Sequence, residues 1–446
     1  MTWHKFSKKL GLAALVVGTA FVGGCNGGGT DNGTTGATAT TATATTTGGT
    51  TATTGTTGAS ASNEATPARP TPPVDGPKAD GDTIKIGMIG SITGDQKPWG
   101  EDSIDGAKMA LADFNKGGGI PGKKIELEIG DSGSKPEPAL TAAETVISKG
   151  VIGIVGEVAS GNTLQIAKSA FAKGIPVMAI GATKTALTAE GTNVFRVCYT
   201  DDEQGPVMAK FAFDKLGKKK IAVMTDNATP YSQGLSASFI KYFTDQLHGE
   251  IVIEEKYEGG QTQFSSQITE LKAKQPDAVF ISGYFNDVGP IAQQLRQAGV
   301  TVPLLGGDGW DSEQILTSGG KAIMDSYFCN HYNNADNRPQ VATFLTEYKG
   351  AHGGKVPGTT MAALGYDAMA LMLDALKRAK ATDAKSLIAA LEDTTGYKGI
   401  TGDITLKGMN GNPPKRAIVV QIVPKDAEGQ WQKYAIAYTP DELGLK

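Results

Sequence analysis

Cysteine and histidine are scarce, three and four residues in a chain of 446. His4, His248, His331 and His352 lie far apart and no C-x-x-C pair occurs, which leaves little material for a metal cluster. An excess of one charge is missing as well. Lys+Arg number 42 against 46 Asp+Glu, a net −4, so no basic surplus invites nucleic acid. Complete catalytic signatures are also lacking. Gly117-x4-Gly122-Lys123 approaches a phosphate loop, but Lys124 stands where Ser or Thr must hold magnesium, and a strand pattern follows instead of a helix. Gly130-Asp131-Ser132-Gly133 falls short of a nucleophile elbow because Ser134 replaces the last glycine. These gaps argue against nucleotide hydrolysis and acyl hydrolysis, and no enzyme is expected.

Apolar residues make up 39% of the chain, ample for a packed core. The length suggests two or three domains. The apolar run Leu10–Val22 follows Lys5, Lys8 and Lys9. It is shorter than the roughly 20 residues a membrane span needs and fits the apolar region of a signal peptide. It ends Val22-Gly23-Gly24-Cys25, which resembles a bacterial lipobox, whose cysteine receives lipid. The alternative is an ordinary signal peptide with an incidental cysteine. Removal of residues 1–24 takes three lysines and no acid, changing the net charge from −4 to −7. Residues 25–81 then form a Thr/Ala/Gly/Pro tether without a single charge between Asn32 and Asn63. That composition cannot offset the entropy of ordering, so a disordered leash on a membrane anchor is expected.

From about Asp82 the pattern changes. Thr83–Gly90 is β-rich, and Ile104, Ala107, Leu111 and Phe114 recur at helical spacing. Strands at 125–129, 151–155 and 175–180 alternate with helices at 137–149 and 163–173. The alternation restarts with strands at 221–225, 251–255, 278–282 and 302–305, and helices at 232–247, 263–274 and 287–298. Two successive α/β units imply two doubly wound parallel-sheet lobes. Helices at 340–349 and 362–378 and short strands near 398–406, 415–423 and 432–438 complete the chain.

Several local motifs then share one order and spacing. They include Ile86-Gly87-Met88-Ile89-Gly90 with Thr93-Gly94, Gly156-x3-Ser160, Ile175-Pro176-x8-Thr185 and Phe195-Arg196 with Asp202-x-Gln204-Gly205. Further along stand Tyr231-Ser232-Gln233-Gly234, Gly283-Tyr284 and Gly306-Gly307-Asp308-Gly309-Trp310. Over residues 82–440 the chain resembles the type I periplasmic binding proteins of branched-chain amino acid ABC transporters. The resemblance implies an α/β fold of two lobes joined by a three-segment hinge, with crossings near Thr200–Asp202, Cys329–Tyr332 and Val419–Gln421. Lobe 1 would hold 82–200 and 331–418, and lobe 2 would hold 201–330 and 419–446.

It also implies a site for an apolar or branched-chain amino acid. A zwitterion is costly to bury unless both ends are hydrogen-bonded. Ser160, at a helix start, and Thr183 are expected to hold the carboxylate, with Gly181 and Ala182 beside them at a strand end and Thr183 and the Gly181 carbonyl as further contacts for the ammonium. Asp308, where the best-known member has Glu, would take the ammonium. Tyr231 and Tyr284 would close over the guest, and Trp99, read as a loop residue, would line the side-chain pocket. Each has a plainer rival: an N-cap for Ser160, a turn for Thr183 or Asp308, structural packing for the aromatics. The family's lobe 1 disulfide is absent, because Ser134 and Ala159 sit near its positions. Cys198 and Cys329 fall beside two crossings, either as a possible disulfide or as buried free thiols. The partners implied are a small amino acid and an ABC permease, with the membrane reached through the anchor, no nucleic acid, and a monomeric state. No cofactor is implied. A sensory receptor reporting to a membrane partner is the alternative, followed by a lipid-anchored hydrolase.

Overall fold

The computed structural model describes residues 68–446 apart from 334–335, 337, 416, 426–430 and 439–446. The signal peptide, Cys25 and most of the tether lie outside the described residues. The last stretch of the tether does not. Residues 68–81 are laid along the folded head, which corrects the expectation of a disordered segment reaching residue 81. Arg69 donates to the backbone oxygens of Thr188 (2.9 Å), Gly191 and Val194 (2.6 Å). Ala79 N donates to Thr382 O at 2.8 Å, and Pro77 O accepts from Ala384 N at 2.9 Å. Proline lowers the entropy that such a segment loses on docking, and the carbonyls it meets supply partners that composition does not reveal.

The first sheet is built from β1 (Thr83–Gly90), β2 (Lys124–Asp131), β3 (Gly153–Val155), β4 (Val177–Ala179) and β5 (Val194–Arg196). Its order is β2-β1-β3-β4-β5, with every pairing parallel. Helices α1 (Lys97–Lys116), α2 (Pro136–Ser148) and α3 (Ser160–Ala172) connect the first strands. Ile84, Ile86, Met88 and Ile89 of β1 are fully buried, as befits a strand covered on both faces.

The chain then leaves this sheet through 197–200. Helix α4 (Asp201–Lys210) starts with a capping box in which Thr200 and Glu203 satisfy each other's backbone N–H groups. The second sheet follows with β6 (Lys220–Asp226), α5 (Pro230–Asp245), β7 (Glu250–Tyr257), α6 (Ser265–Ala273), β8 (Ala278–Ile281), α7 (Phe285–Gln297), β9 (Leu304–Gly306), α8 (Gln314–Gly319) and β10 (Tyr327–Asn330). After β10 the chain returns to the first sheet as α9 (Pro339–Ala351), α10 (Met361–Arg378) and α11 (Ala384–Glu392), then the hairpin β11 (Tyr397–Gly399) and β12 (Gly402–Ile404). It crosses a third time to add β13 (Ala417–Lys425) and β14 (Trp431–Tyr438), giving the order β14-β13-β10-β9-β8-β6-β7. Within this sheet the β10–β13 and β13–β14 pairings are antiparallel and the others parallel.

Helix α10 seats on α1 at two glycines. A Cβ on Gly106 would lie 1.8 Å from Ala362 O, and one on Gly365 would lie 2.2 Å from Ser103 O. Both positions therefore demand glycine for close helix approach. The third crossing lies earlier than the resemblance implied. Val419 and Gln421 are inside β13, opposite Cys329 and Tyr327 of β10. Hydrogen-bond pairing there extends the sheet to Ala417. In both sheets the order reverses beside the first strand, at β1/β3 and at β6/β8. Such reversals open a crevice at the strands' carboxyl ends.

Candidate functional site

Loops from the carboxyl ends of both sheets meet around one small cavity. Six of the eight ligand residues expected from sequence line it: Trp99, Ser160, Gly181, Tyr231, Tyr284 and Asp308. Val158, Gly309 and Met361 complete the wall, and sequence reasoning had not singled them out as site residues. Met361 opens α10, whose apolar face reads as core, so nothing in its pattern separates a cavity wall from ordinary packing.

From the first sheet, Ser160 is the first residue of α3, directly after the β3 loop. Its Oγ accepts from Lys184 N at 3.2 Å, and its own proton stays available to an acceptor. It is not the N-cap, which is Ala159. Gly181 follows β4 and leaves room, since a Cβ there would come within 2.9 Å of Val158. Trp99 lies within α1 and not in a loop. Its Nε1 donates across the cavity to Asp311 O at 2.8 Å. Its ring meets Tyr284 edge-on at 5.2 Å and Phe285 at 5.0 Å.

From the second sheet come two stacked tyrosines and an acid. Tyr231, on α5, lies parallel to Tyr284, the N-cap of α7, at 5.0 Å and 8°. The Tyr231 hydroxyl accepts from Gly309 N at 2.9 Å. Burial pushes both phenols well above their ordinary range, so they stay neutral. Asp308 follows β9 in a single 3-10 turn and is buried. Gln204 Nε2 donates to Asp308 Oδ1 at 3.0 Å, and His331 Nε2 faces Oδ2 at 3.0 Å.

Two expected ligand residues stand behind the wall. Ala182 turns its carbonyl to Arg196 Nη1, 2.7 Å away. The Thr183 hydroxyl sits beside Asp201 and Gln204, with Gln204 Nε2 at 3.4 Å. Thr183 does not line the cavity, and its hydroxyl already has buried polar neighbours. Asp201 shares Gln204 Nε2 at 3.0 Å, and burial pushes its carboxyl up to about 7. Gln204 and His331 are the polar residues sequence reasoning missed. Gln204 stood within a quoted motif and His331 within an expected crossing, but neither position revealed a partner.

The possible Cys198–Cys329 disulfide is not formed. Both residues are buried free thiols. Cys198 Sγ is directed to Ala182 O at 3.5 Å, and burial pushes its thiol up to about 12. Among the described residues no cluster of His, Cys, Asp or Glu is arranged to hold a metal ion. Nor is any helix there long and apolar enough to cross a membrane.

The fold has clear counterparts among known proteins. The family model described as "Periplasmic binding protein" matches residues 83–429. The Leu/Ile/Val-binding protein BraC3 of Rhizobium johnstonii is 28% identical over 324 residues, covering 72% of this chain and 87% of the relative. Among solved structures, the leucine binding protein LivK of Thermotoga maritima is 32% identical with a TM-score of 0.74, covering 80% of this chain and 99% of that one. The branched-chain amino acid transporter substrate binding protein LivJ of Streptococcus pneumoniae, in complex with isoleucine, is 30% identical with a TM-score of 0.73 and coverages of 80% and 100%.

Proposed function

Because the chain belongs to the periplasmic binding protein family, a family of binding proteins and not of enzymes, we propose that it captures an apolar or branched-chain amino acid between its two sheets. It then hands the guest to an ABC permease. The carrying observation is one buried acid, Asp308, in a small cavity otherwise lined by neutral and aromatic groups. A zwitterion needs unlike partners at its two ends. Ser160 and the free N–H groups at the start of α3 suit a carboxylate. Asp308 suits the ammonium, with the faces of Tyr231 and Tyr284 adding attraction. Trp99 and Met361 offer apolar surface to a side chain.

Lobe closure excludes water and strengthens the polar contacts inside. The two lobes correspond to the two sheets with their helices, residues up to about 200 and 331–416 on one side, and 201–330 with the last strands on the other. Trp99 and Asp311 bridge them in the closed arrangement. We further propose that residues 1–24 are removed, that Cys25 carries lipid, and that the monomeric head works outside the cytoplasm on the tether. The family's extracytoplasmic setting and the lipobox-like run support this reading.

A thermal-shift screen with L-leucine, L-isoleucine and L-valine tests the ligand class. At a thousandfold excess over Kd the guest adds about 4 kcal/mol of stability. No response to any of the three overturns the proposal. Labelling cells with a radioactive fatty acid tests the anchor, since Cys25→Ser removes the label if Cys25 is the acceptor.

A further inference from the structure

Asp308 is held from behind by the hinge. Gln204 grips it twice, with Nε2 donating to Oδ1 at 3.0 Å and Oε1 accepting the Asp308 N–H at 3.1 Å. His331 Nε2 takes the other oxygen at 3.0 Å. Gln204 stands in α4, just past the first crossing, and His331 directly after β10, at the second. Neither lines the cavity. The acid that faces the guest is thus positioned by the two segments that must bend when the lobes move.

The His331 ring has one open position. A carboxylate only accepts, so Nε2 carries the hydrogen in the neutral ring. Nδ1 is buried and has no hydrogen-bond partner among the described residues. The ring lies flat on Tyr199, 4.1 Å between centroids and 18° between planes. With Nδ1 bare, the Asp308–His331 pair carries −1; with a proton there, it carries zero. Other ionisable groups surround this pair. Asp201 shares Gln204 Nε2 with Asp308, and Tyr231 and Tyr284 act on Asp308 from the cavity side. Tyr199, Cys198 and Cys329 lie in the field of Asp308, while Arg196 acts on Asp201 and Lys415 on Cys198. Asp201, pushed up to about 7, can also exchange a proton, so the two must be told apart.

We propose that a proton on His331 and the ammonium of the guest compete for Asp308, so that binding an amino acid expels one proton, and His331 is the positioning residue that sets selectivity for an amine. This rests on the reading of Asp308 as the ammonium site. The proton leaves Nδ1 for solvent as the ammonium arrives, and no bond within the guest changes. A neutral ring leaves a net negative pair that demands a cation. A charged ring leaves a neutral pair, against which an amine gains little and an amine-free carboxylate loses little. Linkage makes the effect reciprocal: what the proton does to the guest, the guest does to the proton.

Calorimetry of L-leucine binding to the full chain, in two buffers of different ionisation enthalpy at pH 5.5 and 7.5, reads both terms. Proton release is expected, with affinity lower at pH 5.5 than at pH 7.5 and falling by at most about tenfold per pH unit, the limit for one proton exchanged. His331→Gln keeps a donor toward Oδ2 but cannot titrate. It is expected to lose both the proton release and the pH dependence of leucine affinity, whereas Asp201→Asn keeps them. Tight leucine binding with a flat pH profile overturns the inference. So does proton release that persists in His331→Gln, or that vanishes in Asp201→Asn alone. Should His331→Gln not fold, histidine NMR of the wild type decides: His331 titrates in the free protein and ceases to over the same range with leucine bound, and identical titration in both forms overturns it. Absence of leucine binding at both pH values instead overturns the amino-acid reading, and this inference with it.

Discussion

Glu157 and Asp308 are both buried acids placed just beyond the carboxyl end of a strand, one in each sheet, yet they are built for different work. Glu157 is saturated. Ser91 Oγ (2.5 Å) and Ser132 Oγ (2.6 Å) donate to its Oε1, and Ala159 N (2.9 Å) and Asn162 Nδ2 (3.1 Å) to its Oε2. All four come from the first sheet's own loops and α3, so Glu157 ties that lobe together and faces no guest. Asp308 receives two side-chain partners, both from hinge segments, and lines the cavity. Burial alone does not mark a binding group. An acid whose acceptor sites are filled by its own lobe is structural, whereas one left part-filled at a cavity wall has capacity for a ligand.

The sharpest way to break this contrast is Glu157→Ala. It strands three side-chain donors and one backbone N–H in the core, so a loss of roughly 3 kcal/mol or more in urea unfolding is expected. A loss under 1 kcal/mol would remove the structural role. Next is Asp308→Asn, for which leucine affinity should fall at least about a hundredfold, near 3 kcal/mol, while the ligand-free Tm moves little. Equal damage to stability and binding would erase the distinction between the two acids.

Asp201 supplies the third probe. Its carboxyl is raised to about 7, well above the usual carboxylate range, chiefly by burial. A raised value means the neutral form suits the fold. The contribution is complete below about pH 4 and is lost as pH rises through 7. Asp201→Asn is neutral throughout and should gain roughly 1–3 kcal/mol over the wild type at pH 8 and nothing at pH 4, read by denaturant melts at both. The reverse order would contradict the sign. The smallest effect belongs to Trp99→Phe, which keeps an aromatic ring but removes the indole N–H that donates to Asp311 O. About 1 kcal/mol of closure is lost, a roughly fivefold rise in Kd for leucine. An unchanged Kd would mean the cross-cavity bond adds nothing to capture.

Much of the fold was legible because burial on both faces of a parallel sheet leaves runs such as Ala278–Ile281 unbroken, and because amphipathic spacing announces α1 and α10. The three-residue β5 was not, since Val194–Arg196 offers no alternation to count. The docking of residues 68–81 was hidden for another reason: its partners are backbone carbonyls over a hundred residues away, which composition cannot report. At the site, the six cavity residues were named through the family resemblance. That Ala182 and Thr183 do not line the cavity was not legible, because it depends on Arg196, Asp201 and Gln204 lying beside them in the fold.

The sequence by itself determined the element order, the two α/β units and the residue types that can meet a zwitterion, because periodicity and turn chemistry act over short spans of chain. Only the tertiary structure decided which of those residues face the cavity, that Cys198 and Cys329 stay apart, and that Gln204 and His331 hold Asp308. Those outcomes are contests among groups distant in sequence for a few buried hydrogen bonds, and the winner is set by where the folded backbone carries each competitor.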